Sequence, residues 1–224
     1  MADERDNWKR LAAESAVTQV VNGMTVGLGT GSTGAFVLLA LARRIGEGLR
    51  ITGVPTSERT ADRAHELGIP LAELGSHQID MDIDGADEVE RGRLNLIKGR
   101  GGALLREKIV AHAGARFLVV VDRSKLVDKL GAAPVPVEVV QFGWRATAHQ
   151  IQGLGAKPER RDFVTDSGNY ILDCAFGPIE DPATLAGKLD HIPGVVEHGL
   201  FIGMATEVHV AGPSGVEILR QLAK

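Results

Sequence analysis

Apolar and polar positions follow two rhythms along this chain. In "WKRLAAESAVTQVV", Trp8, Leu11, Ala12, Ala16 and Val20 recur at helical spacing and share one face. Asn22-Gly23 reads as the stop of that helix. A strand over 25–28, a loop of glycines and hydroxyls, and a helix over 34–44 come next. "LRITGVPT" predicts a second strand, and "SERTADRAHELG" a helix capped by Ser57 and ended by Gly68. "QIDMDID" alternates as a strand does, "RLNLIK" is another strand, "GALLREKIVAHAG" a helix, and "ARFLVVVD" a fully buried strand. Strands alternating with helices predict an α/β fold, a parallel sheet with helices on both faces.

The texture changes near Gly131. "GAAPVPVEVV" carries two prolines and reads as a linker or an edge strand. A helix over 143–152 follows, then "DFVTDSGNYILD", a hairpin signal around Asp166-Ser167-Gly168-Asn169, then a helix in "DPATLAGKLDHI". This α+β texture predicts a small second domain. "ATEVHVAGPSGVEILRQL" reads as a strand and then a helix returning to the first sheet. The expected division is 1–131 with 203–224 as the main domain and 132–202 as an insertion.

Composition narrows the class. The 224 residues are 44% hydrophobic, enough for a sizeable core. A net charge of −4 with scattered basic residues argues against a nucleic-acid binder. Cys174 is the only cysteine, which excludes an internal disulfide and a cysteine zinc cluster and suits a reducing cytoplasm. "MADERDNWKR" lacks the order of a signal peptide. The longest apolar run, 35–42, is far short of the about 20 residues that span a membrane. A cytoplasmic protein without membrane or nucleic-acid partners is expected.

The loop Gly29-Thr30-Gly31-Ser32-Thr33-Gly34 fits G-x-G-x-x-G. A dinucleotide site also wants a carboxylate at the tip of the second strand, and "TGVPTS" has none. No GK[ST] follows, which removes the nucleoside-triphosphate loop. What remains is a phosphate or sugar held by N–H groups and hydroxyls at a helix N-terminus. The local alternative is a tight turn with Ser32 or Thr33 as N-cap.

Other polar segments end strands. "DIDGADE" places Asp84, Asp87 and Glu88 where open α/β folds bind ligands. Asp82-x-Asp84 also resembles the motif of magnesium-dependent aspartyl phosphatases, though it follows several strands rather than the first. In "NLIKGRGGALLREK", Lys98 and Gly99-Arg100-Gly101-Gly102 precede a helix carrying Glu107, so a lysine and a helix N-terminus converge. "VVVDRSKLVDKLG" brings Asp122, Ser124 and Lys125 to a further strand end. Each alone has a bland reading as a solvated turn or ion pair; adjacent parallel strands gather them around one crevice.

Together "GLGTGST", "DIDGADE", "IKGRGGALLREKIVA", "VVVDRSKLVDKLG" and "PVPVEVV", with "GNYILD", "IPGVVEHGLF" and "ATEVHV" in order, resemble the type A ribose-5-phosphate isomerase family over essentially the whole chain. The resemblance implies a Rossmann-like sheet with a small α+β domain, a homodimer or homotetramer, and neither metal nor organic cofactor. It implies interconversion of D-ribose 5-phosphate and D-ribulose 5-phosphate. Glu107 matches the catalytic base. Thr30, Gly31, Ser32 and Thr33, Asp84, Gly85, Ala86 and Asp87, Lys98, Gly99, Arg100 and Gly101, and Lys125 match substrate-contacting segments, and Lys9 matches a lysine near the phosphate. Arg100 departs from a run of glycines, and Leu105 stands where a threonine is common.

The chemistry then assigns Glu107 as base, Lys98 and the 99–102 N–H groups to the oxyanion, and Asp84 to ring opening. Asp87 orients hydroxyls. Ser32, Thr33 and Lys9 take the phosphate, and Lys125 takes oxygens or phosphate. The competing classes are a sugar-sensing regulator, which needs a helix-turn-helix that this chain does not show, an acyl-CoA transferase, and a nicotinamide dehydrogenase.

Overall fold

The computed structural model describes residues 2–75 and 78–221, without the side chains of residues 2 and 3. Along the first half run α1 (Ala2–Val17), β1 (Thr25–Leu28), α2 (Ser32–Gly46), β2 (Thr52–Pro55), α3 (Glu58–Glu66), β3 (Met81–Asp84), β4 (Glu88–Glu90), β5 (Leu96–Ile97), α4 (Leu104–Ala113) and β6 (Phe117–Asp122). A 3₁₀ turn at Arg123–Lys125 leads to β7 (Leu126–Val127), β8 (Val135–Val139), α5 (Trp144–Gly153), β9 (Lys157–Arg160) and β10 (Tyr170–Ala175). Then come α6 (Pro182–Asp190), β11 (Val195–His198), β12 (Leu200–Phe201), β13 (Glu207–Gly212) and β14 (Gly215–Arg220).

Six strands form the main sheet in the order β14-β13-β6-β3-β1-β2. All pair in parallel except β14. Both faces of such a sheet are covered, which is why β6 is apolar until Asp122 and buried along its length. One face packs on α1 and α2 through Ala12, Ala16, Val37 and Leu41 against Leu28, Ile83 and Leu118. The β6, β3 and β1 strands are neighbours, so their C-terminal ends lie side by side.

A second sheet, β11-β8-β10-β9, has its own core of Val135, Val137, Val139, Leu172 and Leu189 with α5 and α6. A third sheet, β12-β5-β4-β7, is built from short strands in the connections β3–β6, β6–β8 and β11–β13.

Several sequence expectations change. The first helix ends at Val17, so Val20 is buried outside it, and Gly23 (φ 88°) instead makes the turn before β1, donating its N–H to Arg50 O. The "RLNLIK" strand is only two residues long and pairs antiparallel with β4 and β12, outside the main sheet. "PVPVEVV" is neither a linker nor an edge: β8 is buried between β11 and β10. Pro136 fits there because its carbonyl accepts from Gly199, beyond the end of β11, and its nitrogen faces that same side. The hairpin exists, but its first strand is β9, upstream of "DFV". The C-terminal helix is instead strand β14, paired with β13 from Glu207↔Arg220 to Gly212↔Gly215. Leu222 of that expected helix lies outside the described residues. Among the described residues no helix is long and apolar enough to cross a membrane.

Candidate active site

The loop after β1 is shaped by its glycines. A Cβ on Gly29 would overlap the Asp84 carboxyl, so only glycine lets these two strand ends pack. Gly31 is the N-cap of α2 with φ 103°, a conformation glycine adopts without strain. No side chain among the described residues caps the start of this helix. The Ser32 and Thr33 hydroxyls are therefore not spent on the N-cap role that was their local alternative. The first-turn N–H groups also have no helical acceptor, as at any helix start. Thr30 differs: its hydroxyl bonds Thr56 (2.8 Å), Ser57 (2.8 Å) and Thr60 (3.0 Å), tying the loop to the start of α3. Ser57 caps α3 as expected, accepting from the Thr60 N–H.

Three carboxyl groups and one ammonium are buried beneath this loop. Lys98 Nζ donates to Asp84 Oδ2 at 2.8 Å and to Gly85 O at 2.5 Å, and lies 3.3 Å from Glu107 Oε2. Asp84 Oδ1 accepts the Gly85 N–H. Lys98 and Glu107 are 3% exposed and Asp84 is fully buried. Burial alone lowers the lysine, but the Asp84 and Glu107 carboxylates outweigh it and hold Lys98 charged, above its ordinary value. Burial raises Glu107 to about 8, with Lys98 opposing and Asp84 reinforcing the rise. Burial also raises Asp84, against the pull of Lys98 and the Gly85 N–H. Asp82 lies behind them, wholly buried, with neither oxygen hydrogen-bonded among the described residues. Burial and the Asp84 charge hold its carboxyl well above the usual range. An enclosed Asp82, away from the cleft, does not suit the phosphatase reading, which needs both aspartates on one open site.

Glu107 projects from the first turn of α4. That helix is anchored by the next residue: Lys108 Nζ bonds Glu197 Oε1 and His198 O, both at 2.6 Å. The Lys98 and Lys108 ammonium groups lie 5.4 and 4.9 Å from the centre of the buried Phe201 ring. Asp190, Glu197 and His198 bring ligand-type atoms within 4.8 Å of one another, but Lys108 already pairs with Glu197 there.

Above this group opens a cleft of about 440 Å³. Of the sequence-predicted residues, Lys9, Thr30, Gly31, Ser32, Thr33, Gly85, Ala86, Asp87, Lys98, Gly99, Arg100, Gly101, Glu107 and Lys125 line it. Asp84 does not; it reaches the cleft through its bonds to Lys98 and the Gly85 N–H. Leu105 faces a separate niche beside Glu138 and Thr165, so its missing hydroxyl is not a cleft feature. Arg5, Arg59 and Asp122 also line the cleft. Asp122 stood at a noted strand end. Arg59 lies in the first turn of α3, after the β2 end that carries no motif, and Arg5 lies a helical turn before Lys9; neither had a sequence signal of its own. Lys9 is paired with Asp6 at 2.9 Å.

A mostly parallel α/β sheet, with a cleft rimmed by Arg5, Lys9, Arg59, Arg100 and Lys125 over a buried lysine–carboxylate group, is the architecture of a Rossmann-like enzyme. Residues 52–215 match the family model of ribose 5-phosphate isomerase A (phosphoriboisomerase A). Curated relatives named ribose-5-phosphate isomerase A include one from Gluconobacter oxydans, 58% identical over 93% of this chain and 94% of its own. Another, from a Synechococcus species, is 56% identical over 96% and 98%. A solved ribose 5-phosphate isomerase A from Methanocaldococcus jannaschii superposes with TM-score 0.93 at 40% identity, covering 96% and 99% of the two chains. A D-ribose-5-phosphate isomerase solved in complex with phospho-erythronic acid gives 0.94 at 41% identity, covering 97% and 99%. The chain belongs to the ribose 5-phosphate isomerase A family.

Proposed function

We propose that the protein interconverts D-ribose 5-phosphate and D-ribulose 5-phosphate, a step of the non-oxidative pentose phosphate pathway, through an enediolate. One observation carries this reading: the Lys98 ammonium lies 3.3 Å from Glu107 and 2.8 Å from Asp84 on the floor of an anion-binding cleft. Glu107 takes the C2 proton of the open aldose. The electrons move to the C1 carbonyl, and the oxyanion formed is met by Lys98 and by the N–H groups of the 99–102 turn that have no partner among the described residues. A proton passes between the two oxygens, Glu107 returns its proton to C1, and the ketose forms at C2. These groups supply the positive potential that a metal supplies in Lewis-acid catalysis, and no cofactor enters the scheme.

The phosphate lies against Ser32, Thr33 and the α2 N-terminus, with Lys9 and Lys125 supplying charge. Ring opening moves a proton between oxygens. Asp87 lines the cleft for direct contact, while Asp84 takes part through Lys98.

The test is Glu107→Gln, which keeps shape and loses the base. Turnover of ribose 5-phosphate falls at least about 100-fold, direct substrate binding changes little, and solvent-deuterium exchange at C2 disappears. A fully active Glu107→Gln enzyme would make Glu107 an ordinary ion-pair partner and end this reading.

A further inference from the structure

The turn after β5 is held from the second sheet by one side chain. Arg161, immediately after β9, donates from Nε and Nη2 to the two oxygens of Asp173 on β10, at 2.8 and 2.7 Å. Its Nη1 donates to Gly99 O at 3.0 Å and Arg100 O at 3.1 Å. The guanidinium is a rigid planar fork. With one edge locked on Asp173, the remaining nitrogen is aimed at two successive carbonyls.

Peptide planarity converts this into control of N–H groups. The Arg100 carbonyl and the Gly101 N–H belong to one trans peptide and point in opposite directions. Drawing the carbonyl toward Arg161 turns the Gly101 N–H away from it. The Gly99–Arg100 peptide is fixed at both ends: Gly99 O also accepts from the Gly102 N–H at 3.0 Å, and the Arg100 N–H donates to Asp87 Oδ2 at 3.0 Å. The Gly99 and Gly101 N–H groups have no hydrogen-bond partner among the described residues, and both residues line the cleft. Gly99 (φ 107°) and Gly102 (φ 85°) leave this turn torsionally soft, so its orientation depends on outside contacts.

We propose that Arg161, locked by Asp173, is a positioning residue that presets the 98–102 turn, aiming its free N–H groups at the developing oxyanion. The second sheet thereby completes the catalytic cleft. This rests on the isomerase reading above.

The test compares the wild type with Arg161→Met, Arg161→Lys and Asp173→Asn, and adds Arg161→Ala for chemical rescue. Steady-state rates on ribose 5-phosphate and thermal melting are measured for each. Lysine keeps the charge but cannot hold a bidentate carboxylate and two carbonyls together. All Arg161 variants should lose at least about 10-fold in kcat, less than the about 100-fold or more of deleting an oxyanion donor outright. KM should stay within about 3-fold, because the phosphate rim is untouched. Asp173→Asn should fall in the same direction by less. For Arg161→Ala, guanidinium at millimolar, non-denaturing concentration should restore part of kcat and leave the wild type unchanged. A folded Arg161→Met enzyme with wild-type kcat overturns the proposal. So does a loss that guanidinium does not relieve and that follows melting temperature alone. Glu107→Gln assayed in parallel separates the two readings. If it stays active, the isomerase site is wrong; if it is inactive while Arg161→Met is not, only the positioning role fails.

Discussion

Replacing Asp84 by asparagine should move the pH dependence of kcat/KM to lower pH. As the proposed base, Glu107 acts only when ionised, and burial raises it to about 8. With that value, kcat/KM of the wild type should rise about eightfold between pH 6.5 and 7.5 and level off near pH 9. Starting at pH 6.5 avoids most of the second ionisation of the substrate phosphate, near 6. The Asp84 and Glu107 oxygens share Lys98 at 2.8 and 3.3 Å, so they are at most about 6 Å apart. Two charges at that distance repel by about 2.8 kcal/mol at an effective dielectric constant of about 20, equivalent to about two pH units. Removing the Asp84 charge therefore brings the limb from about 8 toward about 6. It also frees a Lys98 proton for Glu107, which acts in the same direction. Initial rates at subsaturating ribose 5-phosphate, followed by the ketose carbonyl at constant ionic strength, give the limb. Its plateau is expected to fall as Lys98 loosens, so the position of the limb is the observable. A limb that stays within about 0.3 pH unit, or moves upward, would refute the reasoning: either Asp84 carries no charge or the limb is not Glu107.

Lys98→Ala should reduce kcat by about 100-fold or more, because in the proposed mechanism its charge matters most when the enediolate forms. Lys125→Ala and Ser32→Ala should mainly raise KM, and a pure KM effect for Lys98→Ala would move that lysine to the phosphate. Asp82→Asn should change how stability depends on pH. The folded carboxyl titrates above its unfolded value, so its proton is retained on folding, and the stability this confers is full below about pH 4 and fades as pH rises. The asparagine variant should gain on the wild type between pH 4.5 and 7.5 in urea unfolding; a constant difference would mean that Asp82 does not titrate in this range.

Local chemistry was legible in the chain. The Ser57 cap, the glycine-hydroxyl loop at the start of α2, the unbroken apolar run of β6 and the helix carrying Glu107 all depend on neighbours within a few residues. Most cleft-lining residues were legible too, since strand-end motifs gather wherever parallel strands are adjacent. The strand errors share an origin in backbone partners that the local pattern does not name, next along the chain for β14 and about 60 positions away for β8. Strand β14 forms because β13 offers it a backbone ladder, and a short stretch such as "GVEILR" suits a helix equally well without that partner. Pro136 in β8 looked incompatible with an interior strand until the place where β11 stops became visible.

The electrostatics belong to the tertiary structure alone. The sequence determines that Asp82, Asp84, Lys98 and Glu107 are present and the order in which they come. It does not determine that one ammonium is enclosed with three carboxyl groups, because burial is the sum of contacts from β1, β3, α4 and the third sheet. That enclosure raises Glu107, holds Lys98 charged and moves Asp84 behind the lysine. Arg161 is the same case at longer range. It reads as one of two adjacent arginines at the end of a strand, and only the approach of the second sheet to the 98–102 turn sets its guanidinium against the Gly99 and Arg100 carbonyls. Hydrogen bonds and desolvation act over a few ångströms in space, so residues about 60 positions apart acquire a joint role only once the chain has folded.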